Sequence, residues 1–291
     1  MKRHLSPAIA GLLLFAALLS GASQPSRAQD AKRGEYLAKA GGCLGCHTED
    51  RKSAVPYAGG RALKTPFGIF YGPNLTPDPQ AGLGKWSEAD FVRALRTGIR
   101  PDGEPFFPAF PYPSFTRITD ADLRDLWAYL RTLKASSQPS RAHELRFPFG
   151  WRFLLWGWRW LFFSPQPFAP DPARNATVNR GAYLVQALGH CGECHTARNF
   201  LGATRSDRLL AGAAKGPEGK RVPNLTPAKL KKWSDGELKD FLTSGLTPEG
   251  DVAAEAMGEV IRNTTSQLTL ADLAALVAYL RALAPLPDEP D

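Results

Sequence analysis

The chain has 291 residues, 43% of them hydrophobic and 22% charged, and a formal net charge of +8 at pH 7. This composition is that of a globular protein, and the length favours two domains over one. The positive charge is weak evidence for nucleic-acid binding, because no nucleic-acid motif accompanies it. We therefore expect no nucleic-acid partner.

The first 28 residues have the pattern of a secretory signal peptide. Residues 1–4 are basic, residues 5–19 are apolar, and Ser26-Arg27-Ala28 is a small-x-small cleavage site. The apolar part is too short for a membrane span to be preferred, although an uncleaved anchor remains an alternative. Cleavage would remove Lys2, Arg3 and Arg27 and leave a net charge of +5. We expect residues 1–28 to direct the protein to the periplasm.

Two pentapeptides contain all four cysteines of the chain. They are residues 43–47 (CLGCH) and 191–195 (CGECH), and each reads C-x-x-C-H. This spacing is the attachment signal of c-type haem, because two thiols three positions apart can form thioethers to one porphyrin while the adjacent imidazole lies under its iron. We predict two covalently bound haem c groups. Their attachment residues are Cys43, Cys46, Cys191 and Cys194.

Paired cysteines also have other uses. In a secreted chain, four cysteines often form two disulfides, and C-x-x-C pairs occur in zinc sites and redox dithiols. None of these uses requires a histidine directly after both pairs, and a zinc knuckle would place the pairs closer together. The motifs therefore favour haem, with His47 and His195 as the proximal iron ligands.

The two motifs belong to two copies of one longer pattern. Residues 33–37 (RGEYL) match 180–184 (RGAYL), and the segment NLTP occurs at both 74–77 and 224–227. Further matches follow in the same order, all at offsets between 147 and 150. We infer a tandem duplication. The expected divisions are a signal peptide at 1–28, a first domain at 29–138, an aromatic and proline-rich linker at 139–174, a second domain at 175–285 and a polar tail at 286–291.

Each copy has the pattern of short helices separated by long loops. In the first copy one helix ends at Gly41, a second begins with a capping box at Ser87, and the last begins at Thr119. Ser234 and Thr269 begin the corresponding helices of the second copy. The proline-rich and glycine-rich loops would pack poorly alone, so a haem is expected to complete each core.

The segment between the copies is rich in aromatic residues. Trp151–Phe163 contains four tryptophans together with Arg152 and Arg159, and its 13 residues are too few for a spanning helix. Two interpretations remain. We favour a linker packed along both domains; the alternative is an exposed aromatic patch that makes a peripheral contact with a membrane or docks on a partner protein.

These residues resemble the diheme cytochrome c proteins related to the cytochrome subunits of bacterial membrane-bound alcohol, gluconate and similar dehydrogenases. The resemblance covers almost all of the mature chain and includes residues 111–115 and 257–263. It implies an all-α fold of two tandem cytochrome c-like domains, each made of short helices and long loops wrapped around a covalently attached haem. Those subunits usually have three such domains and a membrane anchor, so we expect either a soluble carrier or a shorter relative.

The second axial position of the iron distinguishes the two copies. Methionine often fills this position, and its soft sulfur raises the reduction potential. The chain contains only Met1 and Met257, and the resemblance places the axial sulfur at Met257. We predict His195/Met257 ligation in the second domain. In the first domain Phe110 stands where relatives have the ligand, and Ile118 fills another position where methionine is expected.

Three alternatives therefore remain for the sixth position of the first haem. It is empty or holds water, a side chain such as His143 or Lys64 replaces the sulfur, or a partner protein supplies the ligand. We favour the empty or water-filled site, with His143 as the leading replacement. His190 is a weaker candidate because it adjoins Cys191 on the proximal side of the second haem.

The predicted function is electron transfer in the periplasm, from a dehydrogenase or quinol-linked donor to a respiratory acceptor. Iron carries the chemistry, so no catalytic residue is predicted. The expected partners are redox proteins: a dehydrogenase subunit, an oxidase or another cytochrome. The alternative is a peroxidase-like haem enzyme with an open site at the first haem, although no distal histidine can be identified. A gas or redox sensor would need an output domain, for which the pattern gives no evidence.

Overall fold

The computed structural model describes residues 29–216, 219–253 and 255–289, so the predicted signal peptide lies outside the described residues. The helices of the first half are α1 Ala31–Ala40, α2 Cys43–Cys46, α3 Glu88–Thr97, α4 Tyr112–Phe115 and α5 Asp120–Leu130, followed by α6 Leu154–Phe162 between the halves. Those of the second half are α7 Ala176–Tyr183, α8 Gly192–His195, α9 Pro227–Leu230, α10 Asp235–Ser244, α11 Glu255–Asn263 and α12 Leu270–Arg281. In these ranges, no helix has both the length and the apolar character needed to cross a membrane.

A small antiparallel sheet accompanies the helices of the first half. Strands β1 (Ala62–Thr65), β2 (Gly68–Tyr71) and β3 (Glu144–Leu145) pair in that order. The all-α prediction missed this sheet. Strands of two to four residues are too short to show an alternating pattern, and β3 comes from the predicted linker. At Gly68, which has φ of 127°, a Cβ would lie 2.3 Å from the Glu144 carbonyl oxygen.

The helix starts agree with the capping residues in the sequence. The Ser87 and Ser234 hydroxyls each accept a hydrogen bond from the backbone N–H three residues later, and the acidic side chain there bonds back to the serine N–H. Thr119 and Thr269 cap α5 and α12 by the same hydroxyl contact. These contacts satisfy backbone donors that a helix start leaves unpaired. The predicted starts of these four helices are confirmed.

In each half the first helix crosses the last helix at a glycine. A Cβ on Gly34 would lie 1.9 Å from the Asp125 carbonyl oxygen, and one on Gly181 would lie 1.9 Å from the Ala275 carbonyl oxygen. The backbones of α1 and α5, and of α7 and α12, are therefore in direct contact. This close crossing explains the glycine in the repeated R-G-x-Y pattern.

A π-helical turn absorbs a one-residue insertion in the second half. Tyr36 and Tyr183 are 147 positions apart, whereas Cys43 and Cys191 are 148 apart. Between the tyrosine and the cysteine, α7 continues into a π-helical turn at Leu184–Leu188. The wider turn keeps the geometry before the motif the same. In both halves, a Cβ built on the glycine two residues before the first cysteine would lie 3.6 Å from that cysteine's Sγ.

Two main hydrophobic clusters form the interior. The first includes Leu37 and Leu123, with Cys43 packed against it, and the second includes Leu273, with Cys191 packed against it. Tyr183, Leu184, Ala187, Leu188 and Ala275 of the second half belong to the first cluster. The two halves therefore share apolar packing.

Two segments outside the repeated helices also pack on the fold. The α6 helix contacts both halves: Leu155 is buried with Phe70 and Phe107, and the Trp158 indole N–H donates to the Leu201 carbonyl at 2.9 Å. At the other end of the chain, Glu289 accepts hydrogen bonds from Arg205 and Arg208, in the segment expected as a polar tail.

Candidate haem-binding sites

The two motif histidines are oriented in the same way. Nδ1 of His47 lies 2.8 Å from the Pro73 carbonyl oxygen, and Nδ1 of His195 lies 2.7 Å from the Pro223 carbonyl oxygen. A carbonyl partner requires the proton on Nδ1, which leaves the Nε2 lone pair available for a metal. Burial lowers the pKa of both imidazoles, although the carbonyl contact opposes this. Both side chains therefore suit iron ligation in the neutral form.

The repeated N-L-T-P segments hold these proline carbonyls in place. Asn74 Oδ1 accepts the backbone N–H of Thr76 at 2.8 Å, and Asn224 Oδ1 accepts that of Thr226 at 2.7 Å. Each asparagine amide also donates to a carbonyl after the last helix of its half; for Asn224 this is Leu286, at 2.8 Å. The buried asparagine thereby fixes the preceding proline, and the proline orients the histidine.

The four cysteines are free, partly buried thiols. Burial raises the pKa of Cys43 and Cys191 to about 12 and that of Cys46 to about 11. None is in a disulfide, so the two-disulfide alternative does not describe this chain. Across the described ranges, no three His, Cys, Asp or Glu side chains form a metal-ligand cluster. Each pair of thiols, with an oriented imidazole directly after it, fits the two attachment bonds of one haem c.

Met257 shares a hydrophobic cluster with the first cysteine of the second motif. Met257 lies in α11 and packs against the same hydrophobic cluster as Cys191. In the first half, Phe110 packs against the cluster that contains Cys43, and its ring lies edge-on to Phe115 with centroids 5.7 Å apart. The thioether and the phenyl ring therefore have corresponding surroundings.

Ile118 is not the counterpart of Met257. It directly precedes the Thr119 cap, as Leu268 directly precedes the Thr269 cap. Ile118 is 1% exposed within the first cluster. Phe110 is therefore the better match for the position that methionine takes in the second half.

The two replacement ligands suggested by sequence lie on the sheet. The His143 ring packs against Phe70 and Phe107, and its Nδ1 accepts the Tyr71 backbone N–H at 3.1 Å. Lys64 lines the same cleft as His143. The two phenylalanines that pack against His143 belong, with Leu155, to a third cluster that is separate from the one Cys43 packs against. The empty or water-filled site remains our prediction for the first haem.

His190 lies between the halves. Its backbone φ is 37°, in the left-handed region, where the first half has Gly42 with φ of 63°. The imidazole packs edge-on against Phe115 of the first half, with ring centroids 5.3 Å apart. This contact links the start of the second attachment motif to the first half.

The two attachment turns approach each other across the interface. A Cβ on Gly41 would lie 3.8 Å from the Leu188 carbonyl oxygen, and one on Gly189 would lie 3.9 Å from the Ala40 carbonyl oxygen. Each glycine lies two residues before the first cysteine of its motif. Nearby, the Ser114 hydroxyl donates to Glu193 within the second motif at 2.7 Å. The protein path between the two attachment turns is therefore short.

Two matching hydrogen-bond triads fix the halves together. In each triad an aspartate near the start of the last helix binds the arginine of its own half and the tyrosine hydroxyl of the other half. The triads are Tyr36–Asp272–Arg180 and Tyr183–Asp122–Arg33. Both hydroxyls donate at 2.6 Å. The R-G-x-Y pattern thus supplies the arginine and tyrosine of this interface as well as the glycine of the helix crossing.

Acid is expected to weaken the triads. Burial raises the pKa of Asp272, but hydrogen bonds from Arg180 and Tyr36 and the Arg180 charge bring it below its ordinary value of 3.8. When folding lowers the pKa of a carboxyl group, its ionised form stabilises the folded protein. This contribution is complete above the pKa of the unfolded state and is lost as the pH falls through the pKa of the folded state. At pH 7 we expect Tyr36→Phe to lower the unfolding free energy by about 1–3 kcal/mol. Below about pH 4 this difference should shrink.

Denaturant titrations at pH 7 and pH 3 check this expectation. Tyr71→Phe is the matched control, because its hydroxyl binds the exposed Glu144 carboxylate at 2.7 Å. The Glu144 carboxylate is 59% exposed to water, so we expect the effect of Tyr71→Phe to be smaller. A Tyr36→Phe effect at pH 7 that is no larger than the control, or one that grows as the pH falls, would contradict the role of the triad.

The fold and the two sites define a class of protein. The family model for cytochrome c matches residues 31–134 and 178–284, and the chain belongs to this family. It is 40% identical to a diheme cytochrome c-type protein of Cereibacter sphaeroides, over 97% of this chain and 98% of the relative. The resemblance inferred from sequence is confirmed. The chain is a cytochrome c with two covalently attached haem c groups.

Cytochrome subunits of dehydrogenases are also similar. The fructose dehydrogenase cytochrome subunit of Gluconobacter japonicus is 39% identical over 97% of this chain and 60% of the relative. The gluconate 2-dehydrogenase cytochrome c subunit of Pantoea cypripedii is 34% identical over 97% of this chain and 65% of the relative. Both relatives extend well beyond the matched part. Together with the family, they support electron transfer as the general function of this chain.

Proposed function

We propose that this protein carries electrons in the periplasm, from a dehydrogenase or quinol-linked donor to a respiratory acceptor. The observation that carries the proposal is the close approach of the two C-x-x-C-H turns across an interface closed by the paired triads. Similarity to dehydrogenase cytochrome subunits supports a dehydrogenase partner. Export through residues 1–28 and domains at 29–138 and 175–285 are parts of the same proposal.

Each side chain of the sites has a defined task in this proposal. When bound, haem c supplies a ferric/ferrous couple that takes up and releases one electron at a time. Cys43 and Cys46, and their counterparts in the second motif, form the thioether bonds. His47 and His195 bind iron through Nε2, since Nδ1 of each is engaged by a proline carbonyl. Met257 provides the sixth ligand in the second domain.

The ligand difference gives the transfer a direction. A methionine sulfur favours ferrous iron and raises the reduction potential, whereas Phe110 has no donor atom. Electrons therefore enter through the first domain and leave through the second. A spectroelectrochemical titration of the holoprotein should resolve two midpoint potentials, with the higher one belonging to the second domain. The reverse order would contradict this direction.

A peroxidase-like activity is the second candidate. It is favoured by one observation, that Phe110, which cannot bind iron, packs against the same cluster as Cys43. Turnover of hydrogen peroxide with a reduced electron donor would promote this candidate. Failure to turn over peroxide would leave electron transfer as the function.

A further inference from the structure

The outward side of residues 147–161 is an exposed apolar surface, which we call the aromatic face. Three of its side chains are largely exposed: Trp160 at 83%, Phe147 at 79% and Phe153 at 64%. The full set is Phe147, Phe149, Trp151, Phe153, Leu154, Trp156, Trp160 and Leu161. Phe153 is the N-cap of α6, and Trp156 and Trp160 follow it at intervals of three and four residues. The three side chains therefore lie on one side of the helix. Isolated exposed apolar residues are common, but a contiguous set of this kind marks a contact surface.

Two arginines of this segment, Arg152 and Arg159, contact rings or carbonyls of the protein, and Arg159 also lies 5.8 Å from the centre of the Trp156 ring. Arg152 donates to the Pro105 carbonyl at 2.8 Å, and its guanidinium lies 4.5 Å from the centre of the Phe107 ring. The Arg159 guanidinium lies 4.9 Å from the Phe163 ring and 5.4 Å from the Tyr112 ring. Both charges are therefore used within the protein. The outward side keeps its apolar character although the sequence alternates arginine with tryptophan.

The aromatic face continues onto the second half of the molecule. The Trp158 indole joins α6 to the Leu201 carbonyl, and the neighbouring Phe200 is 89% exposed. Gly202 is close to the first half, since a Cβ there would lie 2.9 Å from the Phe67 ring. The exposed apolar side chains thus extend over both haem domains.

The segment that carries the aromatic face has no acidic side chain between Glu144 and Asp171. Of its three arginines, Arg152 and Arg159 contact groups of the protein, which leaves Arg146 to add charge at the edge. Arg146, next to Phe147, is exposed at the edge of the face. An apolar surface with a basic edge and no acidic residue in its segment complements an anionic lipid surface.

We propose that the aromatic face docks this protein on the surface of an anionic lipid bilayer. Tryptophan and phenylalanine side chains partition into the boundary between headgroups and acyl chains. The nine residues of α6 form a helix about 13 Å long, which lies along the surface instead of crossing it. The absence of acidic side chains from the segment and the exposed Arg146 at its edge favour an anionic bilayer over a protein partner as the occupant. This docking goes beyond electron transfer and does not depend on it.

Vesicle co-sedimentation of the holoprotein tests the docking. The probes are vesicles of phosphatidylcholine alone and of phosphatidylcholine mixed with phosphatidylglycerol. The test variant is Phe153→Ser combined with Trp160→Ser, and the matched control is Leu270→Ser, since Leu270 is 85% exposed at the start of α12 and outside the aromatic face. We expect the wild type and the control to sediment with the anionic vesicles. The double variant should lose about tenfold or more in affinity, because it removes two large apolar contacts.

A label at residue 157 gives a second readout. A Cβ on Gly157 would meet no heavy atom within 4 Å, so Gly157→Cys should fold normally. The four native cysteines are consumed by haem attachment, so a spin label would react only at this position. Docking predicts that anionic vesicles increase collisions of the label with oxygen and decrease collisions with a water-soluble nickel chelate.

Several results would overturn the docking. One is equal sedimentation of the double variant and the wild type; another is a label that stays exposed to the nickel chelate. A wild type that ignores both kinds of vesicle but self-associates through residues 147–161, as shown by ultracentrifugation, would assign the aromatic face to a second copy of this chain.

Discussion

Replacing Met257 with leucine is expected to lower the midpoint potential of the second haem by on the order of 0.1 V, within the roughly 0.8 V range that axial ligands span. Met257 and Met1 are the two methionines of the chain, and leucine keeps the side-chain volume of Met257 similar. The sixth position would then open, so the ferrous protein should bind carbon monoxide at this haem. The weak long-wavelength band of a ferric iron–sulfur bond should disappear. Redox titration and optical spectra measure these changes.

Phe110→Met is the matched reciprocal variant. Phe110 packs against the same hydrophobic cluster as Cys43, and Met257 packs against the same cluster as Cys191. A sulfur at residue 110 should therefore raise the first potential and block carbon monoxide there. Ile118→Met is the control, because Ile118 corresponds to Leu268, and we expect it to change neither property. An unchanged spectrum and potential in Met257→Leu would show that Met257 is not a ligand.

Gly34→Ala is expected to destabilise the first domain by about 1–3 kcal/mol or more, as overpacking does. The added Cβ would lie 1.9 Å from the Asp125 carbonyl oxygen and 2.8 Å from the Tyr129 Cβ. Neither neighbour is the end of a flexible side chain, so α1 and α5 would have to separate. The shift would also displace the nearby Arg33 contact with Asp125. Denaturant unfolding of the holoprotein measures the loss.

Gly157→Ala is the control for helical glycine. Gly157 also lies within a helix, but a Cβ there would meet nothing within 4 Å. Alanine should therefore stabilise α6 by about 0.5–1 kcal/mol through its lower backbone entropy. Effects of the same sign and size at both positions would show that close helix crossing is not the reason for Gly34.

Features encoded by short segments could be predicted from the sequence. Ser87, Thr119, Ser234 and Thr269 began helices as their capping patterns indicated. These signals are local, because a cap and its acceptor are three residues apart. The haem attachment prediction rested on equally local spacing.

Features that depend on distant contacts were missed. In the sequence, R-G-x-Y indicates only a repeat, whereas in the structure its tyrosine bonds to an aspartate of the other half. Tyr36 and Asp272 are 236 positions apart, so only the folded arrangement reveals their contact. The prolines that orient the histidines were also overlooked. Their signal was present, since Pro73 and Pro223 precede both copies of N-L-T-P.

The most direct test of the account is a redox-poised optical and electron paramagnetic resonance spectrum of the holoprotein, with and without carbon monoxide. The account predicts one low-spin haem that excludes carbon monoxide, ligated by His195 and Met257. It also predicts a second haem with a high-spin ferric signal, which binds carbon monoxide when reduced. Two low-spin haems that both exclude carbon monoxide would contradict the difference between the domains, because a replacement ligand would then fill the site beside Phe110.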